Sequence, residues 1–153
     1  MPTIQEIVYS DLKEALRSHI EPELGTLRLL KSEIQYDLTK TGAKEIPDPA
    51  MILILKKNLS QRKDSAAEYR KAGREDLAAK EEAEAVVIAK YLPEEIGEDA
   101  IQKAVDDAIT QLPAKGPSDT GKVMGKVMQN FKGQNIDGSK VSEIVKRSLQ
   151  ALS

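Results

Sequence analysis

Seven residues, Gly116-Pro117-Ser118-Asp119-Thr120-Gly121-Lys122, set two glycines and a lysine at the spacing of a phosphate-binding loop, G-x-x-x-x-G-K. Such a loop wraps backbone N–H groups around nucleotide phosphates, and a Ser or Thr at the next position holds Mg²⁺. Here the next residue is Val123, and no strand pattern precedes Gly116. Nucleotide hydrolysis is therefore rejected. Pro117-Ser118-Asp119 reads instead as a helix start, with Ser118 or Asp119 capping free N–H groups.

Two further groups fail as reactive centres. His19 is the only histidine. A catalytic base needs a partnered nucleophile or an orienting carboxylate, and no spacing supplies one. Its place near the end of the first helix suits a structural or surface role. Glu81, Glu82 and Glu84 suggest a carboxylate di-metal bundle, but that site needs Glu-x-x-His pairs from two helices. With one His outside any such pair, they read as a charged solvent face. The sequence thus offers no catalytic residue, no metal ligand and no cofactor site.

The chemistry that survives is electrostatic. Gly121-Lys122-Val123-Met124-Gly125-Lys126-Val127-Met128 is a tandem of Gly-Lys-Val-Met. On a helix, a four-residue repeat stacks like residues almost in line. Val123, Met124, Val127, Met128 and Phe131 form an apolar stripe, with Lys122 and Lys126 on the opposite side. Gly121 and Gly125 line one flank without side chains. Glycine costs about 1 kcal/mol against alanine in a helix interior, so something is expected to approach this backbone closely: another helix or a ligand. Lys115, Lys132 and Lys140 extend the positive surface, and the helix N-terminus adds free N–H groups suited to phosphate.

Charge distribution points the same way. Net charge is −2, yet Pro93 to Leu112 carries −5 and Pro113 to Ser153 carries +4. A second basic run, Arg62, Lys63, Arg70 and Arg74, lies among acids. It reads first as helix ion pairs three or four residues apart, and second as an anion-binding cluster. One Phe, four Tyr and no Trp leave little aromatic surface for stacking bases. The absence of cysteine excludes disulfides and thiolate chemistry. No apolar run approaches the ~18 residues of a membrane span, and the first residues lack a secretory pattern. A cytoplasmic or organelle-matrix protein is expected.

The elements that must position these residues are helices. Thr3 and Glu6 have capping-box spacing, followed by Ile4, Ile7, Val8, Leu12, Leu16 and Ile20 at helical intervals. Leu24, Leu27, Leu30, Ile34 and Leu38 mark a second helix closed by Gly42. Asp48-Pro49 reads as N-cap and first residue of a third. That helix runs about 25 residues, or ~37 Å, to Gly73. A fourth spans about Glu75 to Leu92, ended by Pro93. Three shorter helices follow: Ile101 to Leu112; the Gly-Lys-Val-Met helix, ending near Gly133; and Val141 to Leu152, capped near Asp137 or Ser139. No alternating β-branched segment occurs. The fold class is all-α: a four-helix-bundle-like N-terminal domain (1–92), a boundary at 93–97, and a three-helix C-terminal domain (98–153).

Several of these segments carry a resemblance. Gln61-Arg62-Lys63-Asp64-Ser65, Tyr69, Ala72-Gly73-Arg74-Glu75-Asp76-Leu77 and Tyr91-Leu92-Pro93-Glu94 resemble the YqeY-like protein family. So do Gly121-Lys122-Val123-Met124-Gly125, Lys132-Gly133 and Asp137-Gly138-Ser139-Lys140-Val141. The likeness covers nearly the whole chain. The chain departs from the family pattern around His19 to Gly25 and at Gln134-Asn135-Ile136.

The resemblance implies a C-terminal domain similar to the tail domain of the B subunit of glutamyl/aspartyl-tRNA amidotransferase, a part implicated in holding tRNA. It implies tRNA, and an aminoacyl-tRNA- or amidotransferase-related protein, as partners, with Gly121, Lys122, Gly125 and Lys126 facing the RNA. The expected function is a non-catalytic tRNA- or RNA-binding accessory protein. The alternatives are a helical protein-interaction module and, through the family alone, a carbon–nitrogen ligase using glutamine as amide donor.

Overall fold

The computed structural model describes residues 1–152. Among them all regular structure is helical: seven α-helices and one 3₁₀ turn, with no strand. The all-α expectation holds. The chain forms two compact units, Met1–Leu92 and Pro93–Ser153.

The first unit contains α1 (Ile4–Ser18), α2 (Glu23–Thr41), α3 (Asp48–Lys71) and α4 (Glu75–Ala89). The capping box forms: Glu6 N–H donates to Thr3 Oγ1 at 3.1 Å, and Thr3 N–H to Glu6 Oε1 at 3.3 Å. The buried face of α1 is Ile4, Gln5, Val8, Leu12 and Ala15. Ile7, Leu16 and Ile20, expected in that stripe, are exposed. At 100° per residue, Ile7 and Leu16 fall at opposite margins of the arc centred on Val8. The inner face is completed by Gln5, whose amide oxygen accepts the Ile46 N–H at 2.7 Å. A polar side chain is tolerated there because it satisfies a backbone donor that has no helical partner.

The turn into α2 passes through His19, which caps α1 in the left-handed region at φ 53° and donates its N–H to Ala15 O. Leu24, Leu27, Leu30 and Ile34 are buried, and Gly42 closes α2 at φ 75°. The third helix begins one residue earlier than expected. Pro47 is its cap, while Asp48 turns its carboxylate to the Ile4 N–H at 2.9 Å and ties the starts of α1 and α3 together. α3 and α4 form a long hairpin turned by Gly73 at φ 74°. The fourth helix stops at Ala89, three residues short of Leu92.

The second unit holds α5 (Glu98–Gln111), the 3₁₀ turn Pro117–Asp119, α6 (Thr120–Asn130) and α7 (Gly138–Gln150). Ile101, Val105, Val123, Val127, Val141, Val145 and Leu149 form its aliphatic core, with Met124, Met128 and Phe131 packed at the edge. Asp137 caps α7, accepting from Ser139 N and Lys140 N. Leu112 and Leu152 lie outside this core and are exposed, because α5 and α7 end before them.

Pro93–Gly97 and Gln134–Ile136 are tied to each other. Asn135, 9% exposed, donates its amide to Pro93 O at 2.8 Å, and its own carbonyl accepts the Ile96 N–H at 2.9 Å.

Candidate nucleic-acid interface

The positions of the rejected phosphate loop show why it cannot hold a nucleotide in that way. No strand leads into Gly116, and residues 117–119 form a single 3₁₀ turn. Val123, at the metal-ligand position, is fully buried in the core. Neither Ser118 nor Asp119 caps α6 through its side chain. Instead Asp119 Oδ2 accepts the Lys115 N–H at 2.8 Å, and Thr120 Oγ1 donates to Pro117 O. The carboxylate is thus spent on folding the loop before the helix.

α6 itself is divided cleanly. Val123 and Val127 are the buried side, and Met124 and Met128 shoulder the core. Gly121, Gly125 and Lys122 are exposed, and Lys126 is half-buried. A Cβ placed on Gly121 or on Gly125 would meet no described atom within 4 Å. Close helix packing within the unit therefore does not explain these two glycines. They leave a bare strip of backbone that faces outward. Gln129, also exposed, continues the same row by one more turn. The sequence reading missed it, although the i, i+4, i+8 spacing was available to show it.

Lys122 and Lys126 stand beside this strip, one turn or about 6 Å apart along the axis. Among the described residues, no carboxylate lies within salt-bridge distance of either. Lys115 is exposed in the loop before α6, and Lys132 is exposed just after it. Lys140 differs, because its Nζ lies 3.3 Å from Glu95 Oε1. That partner is one of the acids that gave the preceding segment its negative charge.

The arginines of the first unit are engaged otherwise. Arg62 bridges α3 to α4 with Nη1 at 3.1 Å from Glu81 and 3.2 Å from Glu84, all three mostly buried. Arg70 holds Glu75 in a fork, with Nε–Oε2 at 2.9 Å and Nη2–Oε1 at 2.8 Å, and also binds Glu82. These hydrogen bonds hold the Arg70 guanidinium above its already high range and the Glu75 carboxyl below its own. Arg74 pairs with Asp76 and likewise lowers that carboxyl. Lys63 is exposed and in no ion pair among the described residues. These geometries favour ion pairing over anion capture for the three arginines. Glu81, Glu82 and Glu84, the candidate metal carboxylates, are the partners of Arg62 and Arg70.

A family model described as "Yqey-like protein" matches residues 5–149. The Altered inheritance of mitochondria protein 41, mitochondrial, of Pyrenophora tritici-repentis is 35% identical over 144 residues, 93% of this chain and 78% of that protein. An uncharacterised protein of Schizosaccharomyces pombe is 33% identical over 94 residues, 61% of this chain and 76% of that protein. A protein of the same name as the first, from Saccharomyces cerevisiae strain YJM789, is 27% identical over 126 residues, 79% of this chain and 68% of that protein.

Proposed function

The chain belongs to the YqeY-like protein family, and from that premise we propose that it is a non-catalytic RNA-binding accessory protein, with tRNA as the RNA, that uses the outward face of α6. One observation carries this reading: two solvent-facing glycines of α6, one in its first turn and one in its interior, with nothing of the fold against them, beside two lysines free of carboxylate partners. A glycine strip lets a sugar-phosphate backbone come close, and the flanking ammonium groups neutralise its charge. Recognition of this kind reads shape and charge, not base sequence. Lys115 and Lys132 lie just before and just after α6 and are assigned to the same contact. Lys140 contributes only on release from Glu95. An aminoacyl-tRNA- or amidotransferase-related protein is the proposed protein partner, through the bound RNA. Two of these three relatives are named as mitochondrial proteins, so the proposed setting includes an organelle matrix as well as the cytoplasm.

The test is a tRNA titration of the whole chain at two salt concentrations. Four lysine contacts give a slope of about −3 in log K against log salt. Lys122→Ala and Lys126→Ala each lower the magnitude of that slope by about 1. Salt-independent binding, or none at low salt, rejects the reading. A partner that stays bound after nuclease treatment and is lost on Gly125→Leu points instead to a helix-docking module. A ligase using glutamine is supported only by amidation of mischarged tRNA by the chain alone.

A further inference from the structure

α2 and α3 bury their inner faces in one core, yet no Cα of α2 lies within 8 Å of a Cα of α3. Their outer faces diverge and leave a groove of about 400 Å³. One wall is α2, with Glu33, Tyr36, Asp37 and Lys40, and the other is α3, with Ile54 and Lys57. Buried Asn58 joins the two helices, donating to Glu33 Oε2 at 2.6 Å and to Ile54 O at 3.0 Å.

Two observations mark this face as unpartnered within a single chain. Of the four tyrosines and one phenylalanine, Tyr36 is the most exposed, at 71% against 36% for Tyr69. Leu29, seven residues earlier on the same side of α2, is also exposed. An aromatic ring and a leucine two turns apart form the stripe a helix presents to a neighbour. The second observation is electrostatic. Asp37, Lys40 and Lys57 share the groove, yet none of them forms an ion pair among the described residues.

The order of the charges defines what covers the face. Along α2 it reads Glu33, Tyr36, Asp37, Lys40, with acids first and the base last. A phosphate-rich surface would be repelled by the two acids, and a wholly acidic or wholly basic segment would satisfy only one end. A second α2 running antiparallel satisfies both. About a two-fold axis level with Asp37 and Leu38, Lys40 of each copy falls midway between Glu33 and Asp37 of the other, about 3 Å along the helix from each. The two Tyr36 rings then lie about 4.5 Å apart in that direction, within reach of each other at the centre of the contact. Each favourable pair occurs twice, because the symmetry repeats it. We propose that the chain forms an isologous dimer through the outer face of α2 and its groove with α3. This surface belongs to the first unit, so its test contains no RNA and does not depend on the α6 reading.

The experiment is sedimentation equilibrium of the full chain over a concentration series reaching about 1 mM, the weak end of specific association. The mass is expected to rise from the monomer value towards twice that value. Tyr36→Ala removes the central ring and is expected to weaken the dimer at least about tenfold. Asp37→Lys and Lys40→Glu each set like charges against like, and each alone is expected to weaken it at least about tenfold. Asp37 is used in place of Glu33, which Asn58 holds. Mixed in equal amounts, the two charge variants are expected to pair with each other at least about tenfold more tightly than either pairs with itself. That recovery also shows that both variants are folded. A parent chain that stays monomeric at every concentration overturns the proposal and leaves the face to a partner of another sequence. A dimer that all three variants leave unchanged overturns it as well, since it would use a different face. Charge variants that fail to pair when mixed overturn the antiparallel arrangement.

Discussion

Single residues decide much of this molecule's behaviour where a polar side chain meets one partner brought to it by tertiary folding. Tyr91 is the clearest. Burial and the Asp11 carboxylate raise its phenol above the ordinary 10.0. The stability contributed by the neutral phenol is therefore complete below pH 10, and is lost as pH rises through the higher folded value. Tyr91→Phe is expected to cost about 1 kcal/mol at pH 7, while flattening the decline between pH 10 and 12 in urea unfolding. Asn135 works differently, because its side chain satisfies the Pro93 carbonyl. Asn135→Ala is expected to lower stability by about 1–2 kcal/mol in the same assay. Neither role was legible in the sequence. Asp11 and Tyr91 are 80 positions apart, and Gln134-Asn135-Ile136 read as a turn departing from the family pattern. Local spacing carries no information about a partner brought in by tertiary folding. The capping box at Thr3 and the glycine turns at Gly42 and Gly73 were legible, because their chemistry lies within four residues.

Elements were legible to the extent that their apolar spacing was unambiguous. All seven helices were placed from period and caps, and α3 came within a residue or two of its length. The misplacements are at margins. Ile7 and Leu16 flank the true stripe of α1, and α4 and α7 end before Leu92 and Leu152. Helix ends are set by backbone partners more than by hydrophobicity. At α6 the structure removes one of two readings: no described atom stands against Gly121 or Gly125. A direct prediction follows from that open space. Gly125→Ala is expected to stabilise the second unit by up to about 1 kcal/mol, since alanine gains helix propensity without a clash. Gly125→Leu is expected to keep the fold and to weaken tRNA binding by blocking close approach. Thermal unfolding and the binding titration read the two effects separately. A Gly125→Ala chain less stable than the parent would return the glycine to a packing role.

Across the whole molecule, the charge pattern visible in the sequence becomes partly self-cancelling in three dimensions. Arg62, Arg70, Arg74 and Lys140 find acids, while Lys122 and Lys126 do not. The sequence counts charges but cannot pair them, so of the five lysines it named as RNA-facing the fold leaves four without a carboxylate among the described residues. Stability, too, is distributed unevenly. α5 and α7 each anchor four core side chains, whereas α6 anchors only Val123 and Val127 and carries two glycines in eleven residues. A helix so short draws its persistence from packing, and this one has the least. Its amide protons are expected to exchange with solvent faster than those of α5 and α7, through local opening that leaves the rest of the unit intact. A ligand lying along the glycine strip would slow that exchange selectively. The open strip is then also the part of the C-terminal unit that yields first, and a bound strand would be felt as a quieting of its motion.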